Sequence, residues 1–206
     1  MAKKRGSSGR WLKEHRNDPY VKRARSEGYR SRAVYKLEQI QKRDPILKPG
    51  RVVVDLGAAP GGWSQYAARQ VGQKGRVLAL DMLDMPPLEG VEFLQGDFRE
   101  NEVLAAFEQA LGDSRADLVL SDMAPNLSGI GVADQARAME LAELALDFAQ
   151  NHLQGGDLLV KVFQGEGFDA FLADARQAFR RVVIRKPQAS RDRSRELYLL
   201  ALGHRL

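Results

Sequence analysis

From Arg51 onward this chain alternates short apolar runs with stretches whose apolar residues recur every three or four positions. The runs are Arg51–Leu56, Arg76–Asp81, Val91–Gln95, Asp117–Asp122, Asp157–Val162, Val182–Arg185 and Glu196–Leu202. Between them, Trp63–Val71, Asn101–Leu111, Asp134–Leu153 and Phe168–Phe179 have the period of amphipathic helices. This order predicts an α/β fold: a seven-stranded, mostly parallel sheet with helices on both faces and binding residues at the carboxyl ends of the strands. The last two runs are joined by the Pro- and Arg-rich segment 186–195, which contains no crossover helix and leaves room for a hairpin with one antiparallel strand. A helix over Ser31–Arg43, with Val34, Leu37 and Ile40 on one side, precedes the sheet and ends at Asp44-Pro45.

The length of 206 residues fits one domain with a substantial core. With no cysteine, a disulfide framework, a thiolate zinc site and a cysteine nucleophile are excluded. His15, His152 and His204 are scattered, so no metal site is expected. No apolar run approaches the ~18 residues of a membrane helix, and MAKKRGSSGR lacks the apolar stretch of a signal peptide. A cytoplasmic, monomeric protein without a membrane partner is the expectation.

Charge is segregated. Residues 1–32 carry 11 Lys or Arg against three acids, a local net of +8; the whole chain is +5, so the other 174 residues carry −3. A second basic cluster comprises Arg180, Arg181, Arg185, Lys186, Arg191, Arg193 and Arg195. Such segregation suits a polyanionic partner, although a solubilising tail would look the same. Residues 1–30 are read as a basic, partly flexible arm and 31–206 as the folded domain. Trp11 and Tyr20 could stack on bases or anchor the arm to the body.

The sharpest local signal is Val53-Val54-Asp55-Leu56-Gly57-Ala58-Ala59-Pro60-Gly61-Gly62-Trp63, a buried strand, a turn of small residues and a helix start. Its spacing is neither that of a dinucleotide fingerprint nor that of a phosphate loop. The next strands close on Asp81 and, after Gln95-Gly96, on Asp97. Asp81 can accept both hydroxyl protons of a ribose while repelling a phosphate, and Asp97 can accept from an adenine amino group. Any one such acid is as readily a cap or turn residue. Three consecutive strand-ending acids make a phosphate-free adenosine ligand, S-adenosylmethionine, the better reading.

Lys161 interrupts the apolar run Leu158–Phe163, and a charge in a central strand needs a partner or a purpose. Asp122, closing the fourth strand, is the obvious partner; a purely structural ion pair is the alternative. Taken singly, Lys36 resembles a surface lysine and Glu196 a surface partner of Arg193 or Arg195.

The stretches Asp55–Trp63, Ser121-Asp122-Met123-Ala124-Pro125-Asn126 and Lys161-Val162-Phe163-Gln164-Gly165, in this order, resemble the FtsJ (RrmJ) family of ribosomal RNA 2′-O-methyltransferases. The similarity extends to Arg30-Ser31-Arg32-Ala33 and to Ser190–Tyr198, nearly the whole chain. The resemblance implies a Rossmann-like methyltransferase fold with S-adenosylmethionine as donor. It also implies methylation of a uridine ribose in the A-loop of 23S rRNA, with the large ribosomal subunit as partner. The family's donor-binding positions fall on Gly61, Trp63, Asp81, Asp97 and Asp122. Its catalytic tetrad falls on Lys36, Asp122, Lys161 and Glu196, with Lys161 as general base. Burial, Lys36 and the sulfonium would favour a neutral Lys161 amine, and Asp122 and Glu196 a charged one. Runner-up readings are a 2′-O-methyltransferase of tRNA or of an mRNA cap, and a non-catalytic ribosome-assembly factor.

Overall fold

The computed structural model describes residues 18–126, 128–191 and 194–205. The first part of the expected arm, with Trp11, and Arg193 of the second basic cluster lie outside the described residues. Seven strands, β1 (Val52–Leu56), β2 (Arg76–Asp81), β3 (Glu92–Gln95), β4 (Ala116–Ser121), β5 (Leu153–Phe163), β6 (Phe179–Arg185) and β7 (Glu196–His204), form one sheet in the order β3-β2-β1-β4-β5-β7-β6. Strands β1 to β5 pair in parallel, whereas β7 is antiparallel to both β5 and β6. The hairpin that the 186–195 segment allowed is therefore present, and β7 fills the place between β5 and β6.

The helices are α1 (Pro19–Ser26), α2 (Val34–Arg43), α3 (Gly62–Val71), α4 (Asn101–Leu111), α5 (Gly131–His152) and α6 (Phe168–Ala178). Side chains alternate across a strand, so neighbours such as Val53 and Val54 enter opposite layers, both with no exposed surface. On one face Val54, Leu78, Val119, Leu158 and Val160 pack with Phe107 of α4, Leu146 of α5 and Phe171 of α6. On the other, Val53, Leu118, Leu159 and Leu200 pack with Leu37 of α2 and Trp63 and Ala67 of α3. A sheet covered on both faces explains why its central strands read as continuous apolar runs.

Two elements differ most from the sequence expectation. Helix α1 lies within the segment expected as an arm: Asp18 caps it by accepting from the Tyr20 amide (2.9 Å), Pro19 occupies its first turn, and Val21 and Ala24 are buried. Only two inward apolar residues among basic ones leave little periodicity to detect. Strand β5 begins at Leu153, where Asp157 had been expected, and its register on β4 shifts between Ala116 and Leu118. The shift contains Gly156, where an added Cβ would lie 2.5 Å from the Asp117 carbonyl oxygen. Among the described residues no helix is long and apolar enough to cross a membrane, and no group of three or more His, Asp or Glu is placed to hold a metal ion.

Candidate active site

The period of two along β7 puts Glu196, Tyr198 and Leu200 on one face, and the register sets Tyr198 opposite Lys161 of β5. That is the face covered by α2, which carries Lys36. Asp122 follows the last residue of β4, the neighbour of β5. Four local rules thus converge on one point at the carboxyl edge of the sheet.

The convergence is a continuous line of contacts. Lys161 Nζ donates to the Asp122 backbone carbonyl (2.6 Å) and lies 2.9 Å from Asp122 Oδ1. The Tyr198 hydroxyl donates to the same Oδ1 (2.6 Å) and lies 3.2 Å from Glu196 Oε1. Glu196 Oε1 is 2.7 Å from Lys36 Nζ and accepts from Ser190 Oγ at 2.9 Å. Lys161 is 7% exposed and Tyr198 fully buried, so these charges are matched in place and not by water. All four expected catalytic residues meet here. Tyr198 and Ser190 are the members that sequence reasoning did not single out; the signal for Tyr198 was its two-residue spacing from Glu196.

Electrostatics follow from the neighbours. Burial pushes the Asp122 carboxyl up, but the charges of Lys161 and Lys36 and the hydrogen bonds from Tyr198 and Lys161 outweigh it and hold it below the usual carboxylate range. Tyr198 is raised well above an ordinary phenol by burial first, then by the charges of Asp122 and Glu196.

Beside the cluster lies the turn that follows β1. Met123 reaches it from the loop after β4: a Cβ at Gly57 would meet Met123 Cγ at 2.3 Å. The turn's amides are largely used within the protein. Gly57 and Ala58 donate to the Leu80 carbonyl, Gly61 to that of Ala58, and Ala59 to Asp81 Oδ2 (2.8 Å). These amides are therefore occupied by internal bonds, which agrees with a phosphate-free ligand. Asp81 Oδ1 accepts from the Leu83 amide (2.8 Å), so each oxygen is fixed by one backbone donor and keeps a second acceptor position. A ribose diol, which offers two protons, fits that arrangement.

Trp63 is buried; its indole donates to the Ala33 carbonyl (2.8 Å) and its ring lies 5.7 Å from that of Tyr198. It therefore seats α2 on α3 and backs the cluster. Asp97, on the loop after β3, makes no hydrogen bond to the cluster; Arg99 holds it and, chiefly through that hydrogen bond, lowers its carboxyl below the usual range. Asp55, behind the turn, accepts from Ser64 Oγ and is raised to about 7 by complete burial.

A sheet of this order, with a small-residue turn after its first strand and acids closing its second and following its fourth, defines the Rossmann-like methyltransferase class. The sequence model of the FtsJ-like methyltransferase family matches residues 29–204, and the chain belongs to that family. It is 65% identical over 206 residues to a protein of Stenotrophomonas maltophilia named ribosomal RNA large subunit methyltransferase E, covering 100% of this chain and 98% of that relative. A Xanthomonas oryzae pv. oryzae protein of the same name is 60% identical over 207 residues, covering 100% and 99%. A Plasmodium falciparum crystal structure named as a ribosomal RNA methyltransferase superposes with a TM-score of 0.77 at 28% identity, covering 85% of this chain and 98% of that one.

Proposed function

We propose that the protein transfers a methyl group from S-adenosylmethionine to the 2′-hydroxyl of a uridine in the A-loop of 23S rRNA, in the large ribosomal subunit. One observation carries the chemistry: the line Lys161, Asp122, Tyr198, Glu196 and Lys36 at the carboxyl edge of the sheet, joined through Met123 to the turn after β1. The names of the relatives supply the class of RNA. S-adenosylmethionine, when bound, supplies a methyl carbon activated by the sulfonium charge.

The residues of this chain have the remaining tasks. Asp81 accepts the donor's ribose hydroxyls, Asp97 exchanges its Arg99 contacts for the adenine amino group, and Gly61 and Asp122, with Trp63 packed behind them, form the wall around its methionine end. The catalytic set is Lys161, Lys36, Asp122 and Glu196. Lys161 Nζ is the group placed to take the proton of the attacking 2′-hydroxyl and pass it to solvent. Asp122 holds Lys161 in line, and Glu196 holds Lys36 on the other side of the hydroxyl, so alignment supplies most of the acceleration.

The test is to incubate the protein with radiolabelled donor and, separately, large subunits, naked 23S rRNA and tRNA, then to map the labelled ribose. Label on one A-loop uridine of the large subunit is the expected result. Label confined to tRNA would replace the substrate, and no transfer to any RNA would leave a binding factor.

A further inference from the structure

The loop after β2 contains Asp84-Met85-Pro86-Pro87-Leu88, and its two prolines have no amide hydrogen with which to bond the loop to itself. A side chain from elsewhere holds it. Arg30, in the segment between α1 and α2, donates from Nη1 to the Pro86 carbonyl (2.6 Å) and from Nη2 to that of Pro87 (2.8 Å). Nη1 also lies 3.3 Å from the Pro60 carbonyl, in the turn after β1. The segment bearing Arg30 is itself fixed on α3, because the Arg30 amide donates to Gln65 Oε1 (3.2 Å) and Gln65 Nε2 donates to the Gly28 carbonyl (2.8 Å).

The layer closes tightly on the turn. A Cβ at Gly61 would meet Leu88 Cδ1 at 2.7 Å, Met85 Sδ at 3.1 Å and Arg30 Nη1 at 3.2 Å. One guanidinium therefore ties together the turn after β1, the loop that continues from Asp81, and the chain that leads into the helix bearing Lys36.

We infer that Arg30 is a positioning residue of the donor site, holding the loops after β1 and β2 at the spacing the adenosine moiety requires, and is not one of the arginines that face RNA. The inference rests on the donor site proposed above. Arginine is required because its planar fork reaches two successive carbonyls at once; a lysine ammonium keeps the charge but cannot span both. That difference separates the two roles. An RNA phosphate accepts lysine as a point charge, whereas the loop latch does not.

The experiment measures S-adenosylhomocysteine binding by calorimetry for the wild type, Arg30→Lys and Arg30→Met, and binding to large subunits across a salt series with the analogue saturating. Both variants are expected to bind the analogue on the order of tenfold more weakly, as for a lost charge-assisted pair of hydrogen bonds. Their KM for the donor is expected to rise by a larger factor than kcat falls. Affinity for subunits and its salt slope are expected to match the wild type. Analogue affinity within twofold of wild type in Arg30→Met overturns the inference. So does restoration by Arg30→Lys with a reduced salt slope in Arg30→Met, the signature of a phosphate contact. If Arg30→Met unfolds, Arg30→Lys, which keeps charge and most of the volume, decides alone. Failure of the wild type to bind the analogue would sink the donor site itself, separately from the role of Arg30.

Discussion

A lysine amine in the middle of a sheet persists only where its charge is matched, and Lys161 is matched by two oxygens of one residue, the carbonyl and carboxylate of Asp122. Lys161→Ala is expected to reduce methyl transfer by roughly 100-fold or more, as for loss of a general base, with donor-analogue binding retained; transfer at the wild-type rate would remove Lys161 from the mechanism. Tyr198→Phe takes one hydrogen-bond donor from Asp122, whose carboxyl is held low in part by that bond. A carboxyl held low in the folded state contributes stability that is lost as pH falls through its folded pKa, so raising that pKa moves the loss upward. The variant is expected to show the acid limb of its pH–rate and pH–stability profiles at higher pH than the wild type. Asp55 has the opposite sign. Its pKa is raised to about 7, so the fold favours the protonated form, and the stability it contributes is full below the ordinary carboxyl range and is lost as pH rises toward and through about 7. Asp55→Asn is expected to flatten that part of the stability curve and to raise Tm above pH 8; an unchanged curve in calorimetric melts would show that Asp55 is ionised at little cost.

Among the elements, the connections that deliver the site carry the tightest constraints. Gly57 has φ +74° and would place a Cβ 2.3 Å from Met123 Cγ, so the turn after β1 and the loop after β4 approach as closely as a missing side chain allows. Gly57→Ala is expected to cost about 2–4 kcal/mol from left-handed strain and overpacking together. Adding Met123→Ala should recover the packing part but not the strain, and chemical denaturation of both variants checks this. The strands were legible because burial on both faces writes them as apolar runs. Helix α1 was not, since its buried face amounts to Val21 and Ala24 and its basic residues resemble those of a solvated arm. The early start of β5 was hidden too, because Gly155 and Gly156 read as a turn, whereas in the sheet Gly156 lets the strand pass the Asp117 carbonyl.

Across the whole molecule, the basic residues divide into two populations that composition alone counts together. Arg30 serves three backbone carbonyls, Arg32 pairs with Asp18 at 3.0 Å and donates to the Ala189 carbonyl, and Arg185 grips Asp44 at 2.6 and 2.7 Å. These charges hold the N-terminal segment and the β6–β7 connection against the body. Lys22, Arg25 and Arg43 are exposed and make no ion pair among the described residues, which makes them candidates for contact with a polyanion. Replacing Lys22 and Arg25 together with Gln is expected to weaken binding to large subunits and to lower the log–log salt slope by about 1–2, one unit or slightly less per lost phosphate contact. An unchanged slope in filter binding would show that the RNA does not cross α1.

The sequence by itself determined the order of the strands and of the helices from α2 onward, the turn after β1, the acids that end strands, and Lys161 as a charge that needs Asp122, because each is written in local periodicity or in a short motif; Lys36 and Glu196 were named only by the family resemblance. Tertiary structure alone decided that these residues share one line of contacts, that Tyr198 bridges its two carboxylates, and that Arg30 is spent on loops and not on a partner. The physical reason is pairing at a distance. β7 inserts antiparallel between β5 and β6, and its register against β5 sets Tyr198 opposite Lys161, while Arg30 reaches carbonyls 30, 56 and 57 residues away. Contacts of that range depend on how whole layers pack, which no window of neighbouring residues encodes.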